Sequence, residues 1–253
     1  MGQRTAMDFK DHFSAVAADY ASARPGYPAA LFDWIAGIAP ARALAWEAGC
    51  GSGQASRGLA ARFDAVLATD PSAAQVAAAS APGNVRFAVE PAERSSLADA
   101  SVDAACVAQA LHWFDRDAYF AECARVLRPG GVLVAWGYQD VEVSTDIAPA
   151  FDDFRDAIAG DWPAERAQVD DGYAGYGWPF EALPVPAFEM VADWPLARLF
   201  GYVSSFSATR RHRESGRGDP VAAHADAIAA AWGDPATPRR LRWPLFVHAR
   251  RKP

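Results

Sequence analysis

The sequence predicts an α/β protein: a doubly wound, mostly parallel sheet of seven strands with a helical and aromatic cap. Three observations carry that prediction. From residue 41 onward, short apolar runs fit to be strands alternate with stretches fit to be helices, the rhythm of parallel βαβ units. A turn holding Gly49, Gly51 and Gly53 follows the first run, and Asp70 closes the second. In open α/β sheets, ligands bind beyond such carboxyl ends, where the strand order reverses. Two further segments, 1–40 and 140–187, set aromatic residues among prolines and glycines, unlike the runs between them.

Residues 8–20 put Phe9, Phe13, Val16 and Tyr20 on one stripe at helical spacing. That helix should stop before "SARPGYP", because a residue preceding proline is pushed to extended geometry. Pro28 suits the first turn of a second helix, which carries Leu31, Trp34, Ile35 and Ile38 inward. "ARALAWE", "DAVLATD", "NVRFAVE", "SVDAACVAQ" and "GGVLVAWGY" read as strands, with helices over 54–63, 72–80 and 116–127. Asp115 is a good N-cap for the last of these, and "RPGG" a proline–glycine stop. Residues 140–187 hold no clear strand and read as an insertion over the ligand edge. "FEMVADW" reads as a further strand, 195–207 and 219–232 as helices, and "RLRWPLFVHAR" as the last strand. The run Arg210, Arg211, Arg213 reads as a solvated loop. The expected organisation is an N-terminal helical cap over 1–40, a ligand-binding core over 41–139, a cap insertion over 140–187 and a sheet-completing part over 188–253.

The 253 residues are 51% hydrophobic, enough for a sizeable core. A net charge of −7 argues against nucleic acid or an anionic membrane as partner. Cys50, Cys106 and Cys123 show no CxxC spacing and cannot all pair, which fits a reducing compartment and no metal site. "MGQRTAMDFK" lacks the apolar core of a signal peptide, and no apolar run approaches a membrane span. The expectation is a cytoplasmic protein, a monomer or weak homodimer, acting on a small molecule.

The glycine turn narrows the ligand. Glycines bring backbone N–H groups against a ligand without side-chain obstruction. Asp70, about 20 residues on, is placed for an acid that binds a ribose diol. Both features say nucleoside. A dinucleotide fingerprint wants a third glycine where Gln54 stands. Glu47, at the end of the first strand, would repel a pyrophosphate and attract a cation such as an amino-acid ammonium group. S-adenosylmethionine has that ammonium, a ribose and an adenine, and no phosphate. The turn fits a methyl donor better than a dinucleotide.

"EAGCGSG" resembles the first motif of class I S-adenosylmethionine-dependent methyltransferases, and Asp70 matches their ribose-binding acid. "PAERSSLADASVDAACVAQALHWFD" resembles their next motifs, and "RVLRPGG" their usual lead into strand five. With "DYASARPGYP", "QALHWFD" and "YVSSFSA", the wider pattern is similar to the branch that includes trans-aconitate methyltransferases. The resemblance is strong over about 20–137 and looser over 195–250. It implies a Rossmann-like methyltransferase fold with S-adenosylmethionine as cofactor. The donor would be held by Tyr20, Arg24, Glu47, Gly49, Gly51, Gly53, Gln54, Asp70, Pro71, Ala92, Glu93 and Gln109. Pro91 departs from the pattern, standing where many relatives carry an acid for the adenine, which leaves adenine to the Ala92 backbone and Glu93.

Methyl transfer is an in-line displacement from a sulfonium, so alignment and exclusion of water do most of the work. A base is needed only where the acceptor arrives protonated. His112 is the candidate catalytic group, with Trp113 as a wall of the acceptor space beside Tyr20 and Arg24. Arg24 would pair with an acidic acceptor or with the donor's carboxylate. Plainer roles stand beside these: Tyr20 as core, Glu93 as a surface acid, Gln109 as a strand end, His112 as a packed side chain. Two other functions stay open on sequence alone, an NAD-dependent oxidoreductase, disfavoured by Glu47 and Gln54, and a donor-binding protein without turnover.

Overall fold

The structure, a computed structural model, describes residues 25–253. The expected helix over 8–20 and the candidates Tyr20 and Arg24 lie outside the described residues. The chain divides into two compact units. One joins 26–139, 167–190 and 244–253; the other joins, among the described residues, Pro25, 140–166 and 191–243.

In the first unit, Ala29–Ile38 (α1) buries Leu31 and Ile35 as expected, but with Phe32 and Ala36 beside them, while Trp34 and Ile38 are only half-buried. Strand Leu44–Ala48 (β1) runs into the glycine turn and Gln54–Ala60 (α2). Ala65–Asp70 (β2) leads to Ala73–Ala78 (α3), whose Ser72 cap accepts a bond from the Gln75 N–H. Val85–Val89 (β3) and Val102–Ala108 (β4) follow, then Arg116–Val126 (α4), capped by Asp115 as expected. Leu127–Tyr138 (β5) starts earlier than the glycines suggested. Val102 pairs with Leu127 and Ala104 with Val132, so "RPGG" is a bulge inside the strand, with Gly130 at φ +78°.

Helix Ala148–Ile158 (α5) belongs to the other unit, and Arg166–Asp170 (α6) leads back toward this one. Glu181–Ala182 (β6), Phe188–Trp194 (β7) and Arg239–Arg251 (β8) complete an eight-stranded sheet. Its order is β3-β2-β1-β4-β5-β8-β6, with β7 pairing β8. All seven expected strands are present; the eighth, β6, is two residues long and too short to show a pattern. β1 to β5 pair in parallel, while β8 runs antiparallel to β5 and β6. Strand order reverses between β1 and β4, which sets their carboxyl ends as the ligand edge.

The strands alternate faces with period two. Trp46, Leu67, Ala105, Leu133 and Ala135 face α4 through Tyr119, Phe120 and Cys123. Ala45, Val66, Ala104, Val132, Val134 and Trp136 face α1 and α2 through Leu31, Phe32, Ile35 and Leu59. Because both faces are buried, the strands read as near-continuous apolar runs.

In the second unit, α5 buries Phe151, Phe154 and Ile158, a helical stripe inside the segment read only as an insertion. The single helix expected over 195–207 is two, Leu196–Ser204 (α7) and Ser207–Glu214 (α8). Thr209 donates its hydroxyl to the Val203 carbonyl at 2.8 Å, taking an acceptor that a continuing helix would use. The Arg210–Arg213 run is helical, not a loop, and Arg213 holds both oxygens of Asp219, the N-cap of Pro220–Trp232 (α9). Trp243 donates to the Tyr202 hydroxyl at 3.0 Å and packs on Trp194. Among the described residues no helix is long and apolar enough to cross a membrane.

Candidate active site

β1 ends on a turn in which Gly49, Gly51 and Gly53 all take positive φ, +67°, +52° and +82°. Two of the three are also held by space. A Cβ on Gly49 would lie 2.7 Å from the Ala110 Cβ and 2.9 Å from the Phe114 ring; one on Gly53 would lie 2.8 Å from the Phe87 ring. At Gly51 the same construction meets only the Gln75 carboxamide oxygen, at 3.8 Å, so the middle of the turn is open. Asp70 is oriented from both sides: Gly51 N–H donates to Oδ2 and Ser72 N–H to Oδ1, each at 2.9 Å. Those bonds fix the carboxylate beside the turn and leave lone pairs on each oxygen for further donors. Pro71 is exposed beside it, and Gln54 opens α2, half-buried.

Glu47 is buried, with 1% of its surface exposed. The Ser56 hydroxyl of α2 donates to its Oε2. Burial pushes the carboxyl up to about 8, against the pull of Ser56 and Arg57 and with a small push from Asp70. In the ligand-free fold this acid is therefore largely protonated at neutral pH. A cation brought against it would favour the ionised form.

At the adenine side expected from the sequence, Ala92 is buried and Pro91 exposed. Glu93 accepts a bond from the Asp115 N–H at 2.9 Å, so it ties this loop to the start of α4 and is more than a solvated surface acid. Gln109 follows β4 at φ +54°. Its carboxamide brackets the end of β5: Nε2 donates to the Tyr138 carbonyl at 2.9 Å and Oε1 accepts from the Tyr138 N–H at 2.8 Å. Its backbone N–H donates to the Trp136 carbonyl.

Leu111–Trp113 form one turn of 3-10 helix after β4. His112 Nδ1 lies 2.9 Å from the Tyr173 hydroxyl, and the His112 and Trp113 rings meet at 4.8 Å. Trp113 is 60% exposed, so most of the indole expected as a wall faces solvent. Tyr173 is fully buried at φ +61°, a conformation that costs a non-glycine residue about 1–3 kcal/mol. Its ring is stacked on Tyr176 at 4.8 Å and edge-on to Phe246 at 4.9 Å. The preceding Gly172 carbonyl bonds to His248 Nε2 at 2.7 Å. Burial holds the His248 ring below its ordinary range, with Arg250 adding to that, so it is a neutral ring donating to the carbonyl. Among the described residues no three histidine, cysteine or acidic side chains gather as a metal site.

Comparison with known proteins decides the family. The methyltransferase-domain family matches residues 46–135, the stretch from β1 to β5. A Dictyostelium discoideum protein provisionally named a methyltransferase is 31% identical over 220 residues, covering 85% of this chain and 84% of that one. The chain belongs to the class I S-adenosylmethionine-dependent methyltransferases. A Saccharomyces cerevisiae protein provisionally named an S-adenosylmethionine-dependent methyltransferase is 30% identical over 170 residues, 64% of this chain and 52% of that one. The solved structure of a provisionally named type II methyltransferase from Anaeromyxobacter dehalogenans superposes with a TM-score of 0.86 at 44% identity, over 90% of this chain and 97% of the other.

In this methyltransferase the residues expected from sequence fall into two groups. Gly49, Gly51, Gly53, Gln54, Asp70 and Pro71 form the turn and its flank; Glu47 lies buried behind it, bonded to α2. Ala92, Glu93, Gln109 and His112 follow β3 and β4 at the same edge, Glu93 and Gln109 with their side chains bonded to the fold. Tyr173 and Ser56 went unread. Tyr173 lies 61 residues from His112 in sequence, and its only local signal was the repeated Gly-Tyr of "DDGYAGYG". Ser56 is the third residue of α2, three positions after Gly53, and is buried with its hydroxyl on Glu47 of β1.

Proposed function

We propose that this methyltransferase moves the methyl group of S-adenosylmethionine to an oxygen of a small-molecule acceptor, a carboxylate. The observation that carries the donor half is the Asp70 carboxylate, held by the Gly51 and Ser72 N–H groups beside a turn that is open at Gly51. This chemistry fits the donor: two fixed carboxylate oxygens accept a ribose diol, and the open turn admits a ligand against the backbone. Glu47 would take the ammonium group, losing its proton as the cation arrives. Ala92 and Glu93 would flank the adenine, Glu93 keeping its loop in place. With the Gln109 carboxamide committed to Tyr138, its part is to shape the end of β5 beside the donor. Tyr20 and Arg24 remain proposed contacts on the sequence argument, Arg24 for a carboxylate.

When bound, the donor supplies a methyl group on a sulfonium that leaves as a neutral thioether. The chain's own task is to align the two reactants and keep water away. An acceptor that arrives as a carboxylate needs no base. The aromatic side chains of 173–178 cover this unit's core beside His112: Tyr173, Tyr176 and Trp178 pack on the face that carries Trp46 and Tyr119. We take the partner to be this small acceptor alone, the acidic balance disfavouring nucleic acid and anionic membranes, and the working form to be a cytoplasmic monomer or weak homodimer.

Calorimetry with S-adenosylmethionine, its demethylated product and NAD tests the donor, and a mass-read assay against a panel of small carboxylates tests the acceptor. Donor binding with methyl ester formation is expected. NAD binding without donor binding would sink the first half, and transfer only to amines or carbon the second.

A further inference from the structure

We propose that Tyr173 is a positioning residue that holds the His112 ring with its proton on Nε2, so that His112 meets the methyl acceptor as a hydrogen-bond donor. This deepens the methyl-transfer reading and rests on it. The two groups are 2.9 Å apart, Nδ1 to hydroxyl, a contact in which either side can donate. The surroundings of the hydroxyl decide the direction. Tyr173 is fully buried, and burial raises its phenol well above the ordinary tyrosine range, so it keeps its one proton. Among the described residues, the acceptor left for the hydroxyl proton is His112 Nδ1. A proton on Nδ1 would aim a donor at the oxygen and leave the buried O–H of Tyr173 without an acceptor, which native structures avoid. A neutral imidazole that accepts at Nδ1 donates at Nε2.

Two further observations point to a site. The first is the strain: Tyr173 sits at φ +61° and is pinned by Tyr176, Phe246 and, through Gly172, His248. Strained backbone that its surroundings over-determine gathers where a side chain must be held for function. The second is place: the turn that carries His112 is flanked by Ala110 and Phe114, the two residues that a Cβ on Gly49 would strike. His112 therefore stands in a turn packed directly on the glycine turn.

An Nε2–H group gives a hydrogen bond and takes no proton, so the acceptor it suits brings an oxygen that is already unprotonated. Transfer to a carboxylate balances on those terms. The carboxylate oxygen's electron pair forms the new C–O bond, the C–S bond pair returns to sulfur, the two opposite charges cancel, and no proton is released. The hydrogen bond from His112 orients the oxygen and does not enter the balance.

The test is nitrogen NMR on the full chain labelled with 15N-histidine, with the His112 signals assigned by their loss in His112→Gln. A pyridine-type Nδ1 and a pyrrole-type Nε2 are expected. Tyr173→Phe keeps the ring in its stack and removes only the hydroxyl; the ring should then exchange between its neutral forms and draw the two nitrogen shifts together. In the same variant, kcat with a carboxylate acceptor should fall roughly three- to tenfold, the equivalent of one lost hydrogen bond, with the KM for the donor unchanged. A pyrrole-type Nδ1 in the unmutated protein, or identical nitrogen shifts in folded Tyr173→Phe, overturns the proposal. The spectra need no turnover, so the two readings fail separately. The expected ring form without any methyl transfer upholds the tautomer and removes the methyl-transfer reading, whereas turnover with the proton on Nδ1 overturns this proposal alone.

Discussion

Replacing Glu47 by glutamine should make the ligand-free protein more stable at alkaline pH and nearly unchanged at pH 4. The reason is the buried carboxyl, raised from 4.5 to about 8 chiefly by burial and opposed by the Ser56 bond and Arg57. A group whose folded value lies above its unfolded value favours the fold in full below the unfolded value, here 4.5, and loses that contribution as pH rises through about 8. At about 1.4 kcal/mol for each pH unit across that interval, the loss amounts to about 5 kcal/mol. A typical domain has only about 5–15 kcal/mol in total, so the effect should dominate its alkaline behaviour. Glu47→Gln keeps an acceptor for the Ser56 hydroxyl and has no proton to lose. Urea midpoints of both proteins at pH 5, 6.5, 8 and 9 give the comparison, and other titrating groups cancel in the difference because they are shared. The two curves should converge near pH 5, with the unmutated protein falling away by several kcal/mol at pH 9. Parallel curves would refute the reasoning. S-adenosylmethionine offers a second readout: with its ammonium against an ionising Glu47, its affinity should rise from pH 6 to pH 8 in the unmutated protein and stay flat in Glu47→Gln.

Three other outcomes follow from the same geometry. Asp70→Ala should weaken donor binding roughly ten- to hundredfold by calorimetry, because charge-assisted bonds to a ribose diol contribute about 1.5–3 kcal/mol each; unchanged affinity in a folded variant would remove Asp70 as the ribose ligand. Gly53→Ala should cost about 2–4 kcal/mol in a urea titration, from the φ of +82° and the approach to the Phe87 ring at 2.8 Å, and Phe87→Leu should recover part of it. Gln109→Ala should cost about 2–3 kcal/mol by leaving the Tyr138 N–H and carbonyl without the carboxamide; a loss below about 0.5 kcal/mol would mean that water replaces it fully.

What was legible in the sequence is what local chemistry decides. The strands of the core showed because a sheet buried on both faces needs an unbroken apolar run, as in the stretch from Val132 to Trp136, whose alternate residues serve opposite faces. The glycine turn and Asp70 showed because positive φ and a strand-end acid leave a mark at a fixed spacing. The misreadings share another cause. The α5 stripe of Phe151, Phe154 and Ile158 was present, but it lay among prolines and glycines that mask periodicity. The break between α7 and α8 depends on one hydroxyl, Thr209, reaching back to Val203. Glu47 was placed correctly and its charge was not, since ionisation depends on how completely β1 and α2 shut out water. Gln109 is the sharpest case. Its position at the end of β4 reads as facing a ligand, yet its carboxamide crosses to Tyr138, and the space it fills exists only because residue 137 has no side chain: a Cβ there would lie 2.5 Å from the Gln109 oxygen. A bond of that kind is written in two places 29 residues apart, and neither place alone says that the other is its partner.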